Sequence, residues 1–183
     1  MALRVAGLHC NIIDIHLRDK PAHMLRVSPK GTVPVLCLSP DEVIDESLEI
    51  MLWALQKNDP QRWLSGLAIE NAQYLLSQSD GPFKQALDRY KYASRFPQFD
   101  PLQSRQLAID VLIQPLASTL RQQLFIGGQT PVLQDVAVFP FVRQFAGVEP
   151  KWFQANAPEP VRPWLQYWVN SDLFEAIMQK NIA

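Results

Sequence analysis

The sequence contains no apolar run approaching the ~18 residues that a membrane-spanning helix requires, so it offers no candidate span. Charge of one sign does not accumulate either: 17 basic and 18 acidic residues leave a net charge of −1, with no basic stripe. Nucleic acid and anionic membranes are therefore not expected as partners. Cysteine is scarce. Cys10 and Cys37 cannot form a C-x-x-C motif, and no metal-type cluster surrounds them. Both are expected to be small buried thiols in a reducing compartment. The first residues include Arg4 but no clear apolar segment followed by a small-residue cleavage site, so no signal peptide is read and the cytoplasm is the expected location. Internal repeats and low-complexity tracts are missing too. His9, His16 and His23 recur at seven residues, but the spacing crosses an expected strand and a turn; surface or packing roles are expected of them, and no metal.

What is present is core-forming. Of 183 residues, 48% are hydrophobic and 19% charged, a balance that supports a packed interior and argues against disorder. Residues 11–17 alternate Ile13, Ile15 and Leu17 against Ile12, Asp14 and His16, which predicts a strand with one apolar face. Residues 21–27 predict a short helix with Pro21 at its start. Ser28-Pro29-Lys30-Gly31 is turn chemistry. Residues 33–38 form a continuous apolar run that predicts a buried strand. Ser39-Pro40-Asp41 then turns the chain into a short return strand at Val43-Ile44. Asp45 reads as an N-cap for a helix carrying Leu48, Met51, Leu52 and Leu55 at helical spacing.

After Pro60 the strand signal ends. Helical periodicity predicts helices over 61–77, 83–94, 102–125 and 131–145, with one or two short ones over 160–179 bearing Trp164 and Trp168. The stripe of the longest comprises Ile109, Leu112, Ile113, Leu116, Leu120 and Leu124, and Pro115 inside it predicts a bend. Gly127-Gly128 marks its end. The expected organisation is two domains, 1–58 and 59–183, joined at Asn58-Asp59-Pro60.

Three features carry a resemblance. Gly31-Thr32-Val33-Pro34-Val35-Leu36 places a proline, which cannot donate to a ladder, at the head of a strand that otherwise reads as buried. Asp45-Glu46-Ser47 opens a helix about a dozen residues later, and an all-helical region follows. The combination resembles the glutathione S-transferase family, of the omega/beta-like bacterial type. Asp19-Lys20-Pro21 resembles a glutathione-contacting segment of omega-like members, and Leu133-Gln134-Asp135-Val136-Ala137 resembles the capped start of the buried helix in the family's second domain.

The resemblance implies an α/β thioredoxin-like N-terminal domain, its first strand missing, followed by an all-α helical bundle. It further implies a cis Val33–Pro34 bond that turns the Val33 backbone toward glutathione, Glu46 and Ser47 holding the γ-glutamyl end, and Lys20 meeting the ligand elsewhere. Lys20, Val33, Pro34, Glu46 and Ser47 are thus the implied glutathione-binding residues of a homodimer, with no metal. The physical chemistry agrees: a helix N-terminus suits a carboxylate, a glutamate suits an ammonium, and a strand edge suits a peptide backbone.

The sequence departs from the family's pattern in two places. Val132 stands three residues before Asp135, where the family places Ser or Thr, with Thr130 the nearest hydroxyl. The chain also begins at residues that resemble the second half of the family's first helix, so the first strand and the loop bearing a catalytic Ser, Cys or Tyr are expected to be missing from it, through either a start placed too far downstream or a real truncation. The implied function is transfer of glutathione to an electrophile or disulfide in the full-length form, with little activity expected of these residues alone and no catalytic residue assigned among them. The alternative is a non-catalytic glutathione-binding or protein-interaction module. Tyr74, Tyr90, Tyr92 and Phe96 are either core or the lining of an apolar substrate pocket, and Lys84, Arg89, Lys91 and Arg95 are expected to form a solvated face.

Overall fold

The computed structural model describes residues 1–39 and 41–179. It divides into two compact units, Met1–Arg62 and Trp63–Ala183. The fold class is a small thioredoxin-like sheet with helices, then an all-helical unit.

In the first unit, α1 (Ala2–Val5) is followed by α2 (Ala22–Val27), β1 (Leu36–Ser39), β2 (Glu42–Ile44) and α3 (Ser47–Lys57). The two strands pair antiparallel, Leu36 opposite Ile44 and Cys37 opposite Val43, with an irregularity before Ser39. Pro40, part of the expected turn, lies outside the described residues. α1 packs on α3, and Asn58 Nδ2 donates to the Ala6 carbonyl at 3.2 Å, tying the end of α3 to the end of α1.

The sequence misled at four points in this unit. Residues 11–17 are not a strand: Ile12, Ile13 and Leu17 are exposed, and the local pairing is an isolated bridge between His16 and Asp19. Alternation shows which faces a strand would have, but a strand exists only beside a ladder partner, and the described residues supply none. The run 33–38 is not buried throughout, because Val33 and Cys37 are exposed. Cys10 is exposed as well, so neither thiol is a core residue. Asp45 is not the N-cap of α3. That position belongs to Glu46, and the Asp45 side chain turns away to Ser28 and Lys30.

The second unit opens with a 3-10 turn (Trp63–Ala68) and continues through α4 (Glu70–Gln78), α5 (Lys84–Lys91), α6 (Pro101–Ala108), α7 (Gln114–Leu120), α8 (Leu133–Val148), α9 (Pro150–Asn156), α10 (Val161–Val169) and α11 (Asp172–Met178). Wide π turns at Ser79–Phe83 and Ile109–Ile113 join α4 to α5 and α6 to α7. Pro82 lies in the first and Pro115 just beyond the second. A helical proline lacks an N–H and crowds the carbonyl four residues back, and a wider turn relieves both problems. The helix ends at Leu120, so Leu124 drops out of the expected stripe and is exposed.

The core is built on α8, whose Leu133, Val136, Val138, Phe139, Val142 and Phe145 are buried. Phe145 meets Phe83, Tyr90 and Phe153 at ring distances of 5.8, 5.7 and 6.1 Å, and Phe139 meets Trp168 at 6.0 Å. At the head of α8, Asp135 is fully buried and accepts hydrogen bonds from Ile126 N at 2.8 Å, Val132 N at 3.0 Å and Trp164 Nε1 at 2.8 Å. The Val132 departure therefore removes half of a capping box. The carboxylate still reaches back to the Val132 N–H, while valine offers no oxygen in return.

Burial raises the Asp135 carboxyl from the usual 3.8 to about 6, against the pull of its backbone and Trp164 donors. The folded state therefore takes up a proton more readily than the unfolded chain, and this group's stabilising contribution is fully present below pH 3.8 and lost as pH rises through about 6. Urea unfolding of the wild type across that window is expected to show the decline, and Asp135→Asn is expected to abolish it. At neutral pH Asp135→Asn is expected to cost about 2–3 kcal/mol, since an amide turns donors toward donors.

A Cβ on Gly127 would sit 2.3 Å from Val132 Cγ1. Gly127→Ala is expected to lose roughly 1–3 kcal/mol by overpacking. Thermal melts should show less than additive loss when Val132→Ala is added.

Candidate functional site

The first unit brings together three separate segments: Lys20, the loop 28–34, and Asp45–Ser47 at the head of α3. The β1–β2 pairing supplies the first constraint, because it sets the end of the loop beside the residues that lead into α3. Side chains supply the second. Ser28 Oγ donates to Asp45 Oδ2 at 3.1 Å, and Lys30 Nζ donates to Asp45 Oδ1 at 3.1 Å and to Glu46 Oε1 at 2.9 Å.

Gly31 completes the loop at φ +61°, a backbone that disfavours residues with a Cβ. A Cβ there would also lie 3.3 Å from Lys20 Nζ and 3.1 Å from Leu25 Cδ2, so the bare backbone lets Lys20 lie against the loop. Two residues on, the Val33–Pro34 bond is cis, as the resemblance implies, and Val33 is exposed.

Glu46 is the N-cap of α3 by backbone position, but its side chain does not cap the helix. Ser47 is exposed at the first helical residue, and its hydroxyl makes no hydrogen bond among the described residues. The N–H groups of the first turn have no intrahelical acceptors and carry the positive end of the helix dipole. Among the described residues, a Ser47 hydroxyl without a hydrogen bond, the first-turn N–H groups, Glu46 and a Lys20 without an ion pair thus lie around the loop 28–34.

The ionic knot shifts two titrations. Hydrogen bonds to Glu46 and then Asp45 raise Lys30, and hydrogen bonds from Lys30 and then Ser28 lower Asp45. The Asp45 contribution is therefore present above its usual 3.8 and lost as pH falls through the lower folded value.

Sequence reasoning pointed to Lys20, Val33, Pro34, Glu46 and Ser47 but missed Ser28, Lys30 and Asp45 as the residues that join the segments. The available signal was a lysine inside a Ser-Pro-Lys-Gly turn followed by two acids at Asp45-Glu46.

The aromatic candidates in the second unit separate. Tyr74 is exposed, whereas Tyr90 is buried and donates its hydroxyl to Glu149, which Arg105 also holds at 2.7 Å. Burial, then the hydrogen bond to Glu149, push the Tyr90 hydroxyl up to about 12. Tyr90 is a structural tie between α5 and the start of α9. Of the expected solvated face, Arg89 stacks on Phe99 at 4.0 Å and Arg95 on Tyr92 at 4.6 Å.

Residues 1–63 match the family model of the glutathione S-transferase N-terminal domain. The chain is 24% identical over 179 residues to glutathione S-transferase omega-1 of Mus musculus, spanning 90% of this chain and 68% of the mouse protein. The chain is similar to glutathione S-transferases over most of its length, and its first unit matches their N-terminal domain. Solved structures bear out the fold. A glutathione transferase family member from Pseudomonas fluorescens, with two glutathione bound, superposes with a TM-score of 0.76 at 21% identity, over 96% of this chain and 84% of that one. Glutathione transferase F2 from Populus trichocarpa gives 0.76 at 18% identity, over 96% and 88%. Among the described residues, no helix is long and apolar enough to cross a membrane.

Asp45→Asn is expected to loosen the loop. Exchange of the Gly31 amide, which donates to the Ser28 carbonyl at 2.9 Å, should quicken about two- to five-fold, in line with exposed ion pairs. Amide exchange by NMR at neutral pH measures this, and an unchanged rate would show that the knot does not hold the loop.

Proposed function

We propose that the protein binds glutathione at the head of α3 and presents its thiol to an electrophile or a disulfide. The observation that carries the reading is the juxtaposition of Lys20, the cis Val33–Pro34 loop and Glu46–Ser47, in a chain similar to glutathione S-transferases. The chemistry of each group matches one part of the tripeptide. The γ-glutamyl carboxylate takes the first-turn N–H groups and the Ser47 hydroxyl. Its ammonium takes Glu46. The exposed Val33 backbone pairs with the cysteinyl backbone by strand addition. Lys20, which makes no ion pair among the described residues, meets the glycyl carboxylate.

Holding the tripeptide by both ends fixes where its sulfur points, and most of the catalytic benefit available from these residues is this orientation. In conjugation, the thiolate sulfur bonds to the electrophilic carbon as the leaving group departs. In thiol transfer, it attacks one sulfur of a disulfide and releases the other as a thiolate. The reading extends to a homodimer in the cytoplasm, supported by the family and by two unpaired, exposed cysteines that suit a reducing compartment.

Ser47→Ala is expected to weaken glutathione by roughly 1–3 kcal/mol through loss of a hydrogen bond to a carboxylate. Titration calorimetry checks it. Unchanged affinity would remove Ser47 from the site.

A further inference from the structure

The two lysines beside the loop are in different states. Lys20 lies against Gly31 with no ion pair among the described residues, whereas Lys30 bridges Asp45 and Glu46 at 3.1 and 2.9 Å. The carboxylate to which the proposed function assigns the ligand's α-ammonium therefore already holds an ammonium of the chain itself. Two cations crowded onto one carboxylate repel each other, so a ligand must either displace Lys30 from Glu46 or bind against its charge.

Asp45 offers Lys30 somewhere to go. Its side chain is 23% exposed against 54% for Glu46, and Ser28 Oγ steadies it at 3.1 Å. Of the two carboxylates it is the better anchored, and Lys30 can release Glu46 without losing its partner. The exchange makes and breaks no covalent bond: one ammonium leaves Glu46 as another arrives.

We infer that Lys30 is a specificity-determining residue of the γ-glutamyl subsite, occupying Glu46 until an incoming α-ammonium displaces it onto Asp45 alone. The inference rests on the proposed glutathione site and adds a selection rule to it. Lys30 competes for Glu46 with a ligand that carries a cationic amino group and not with one that lacks it, so it narrows the subsite's preference between the two. Lys30 and Glu46 are both more than half exposed, so the effect is a few-fold change in affinity.

Calorimetry tests this with the wild type, Lys30→Met, Lys30→Arg and Asp45→Asn. The ligands are glutathione and glutaryl-cysteinyl-glycine, the same tripeptide without its amino group. Lys30→Met is expected to bind glutathione about two- to five-fold more tightly and the deaminated tripeptide no more tightly. Lys30→Arg, which keeps the cation, should match the wild type. Asp45→Asn leaves Lys30 with Glu46 alone and should weaken glutathione by about two- to five-fold. A general loosening of the loop would move both ligands together. Equal effects on the two ligands, no gain in Lys30→Met, or a Lys30→Arg value like that of Lys30→Met would each overturn the role of Lys30 while glutathione binding by the wild type stands. No glutathione binding by any of the four proteins would overturn the proposed function and this inference with it.

Discussion

Asp45 accepts hydrogen bonds from Ser28 and Lys30 while standing directly ahead of the two residues assigned to the ligand. The loop that leads to Val33–Pro34 and the head of α3 are thereby held from two directions, by this carboxylate and by the β1–β2 ladder. Each exposed ion pair contributes little alone. Together with the ladder they fix the relative positions of groups that come from distant parts of the chain. Ordering a site before the ligand arrives lowers the entropy lost on binding, which is how weak contacts translate into affinity.

The second unit follows the same logic in a drier setting. Asp135 draws in donors from residues 126, 132 and 164, and so joins the loop after α7, the head of α8 and the indole of α10. Burial works against the charge and the donors work for it, leaving the carboxyl raised rather than lowered. A residue in that balance specifies one arrangement of three segments more than it adds stability.

Much of this was legible in the sequence, and the failures have physical causes. Helical periodicity located the buried face through Leu112, Ile113, Leu116 and Leu120 because that stretch packs one stripe inward. It overran at Leu124 because periodicity does not show where a helix stops. The proline at Val33–Pro34 was visible as a residue out of place in a strand, but its cis geometry followed from family resemblance alone. Ile12, Ile13 and Leu17 alternate as a strand would, yet pairing is a property of two segments, and the described residues bring no second one beside them. Lys30 looked like a turn lysine since its partners are 15 and 16 residues away. Asp45 looked like a cap because aspartate before a helix usually is one, and the competing partners Ser28 and Lys30 appear only after folding.

The central claim is that the loop 28–34 and the head of α3 form a glutathione site. Backbone amide NMR of the protein titrated with glutathione tests it most directly. The account predicts saturable shifts confined to Lys20, Gly31, Val33, Glu46, Ser47 and their chain neighbours, with Asp135 and the α8 core unmoved. Saturable shifts centred elsewhere, or none at millimolar glutathione, would contradict it.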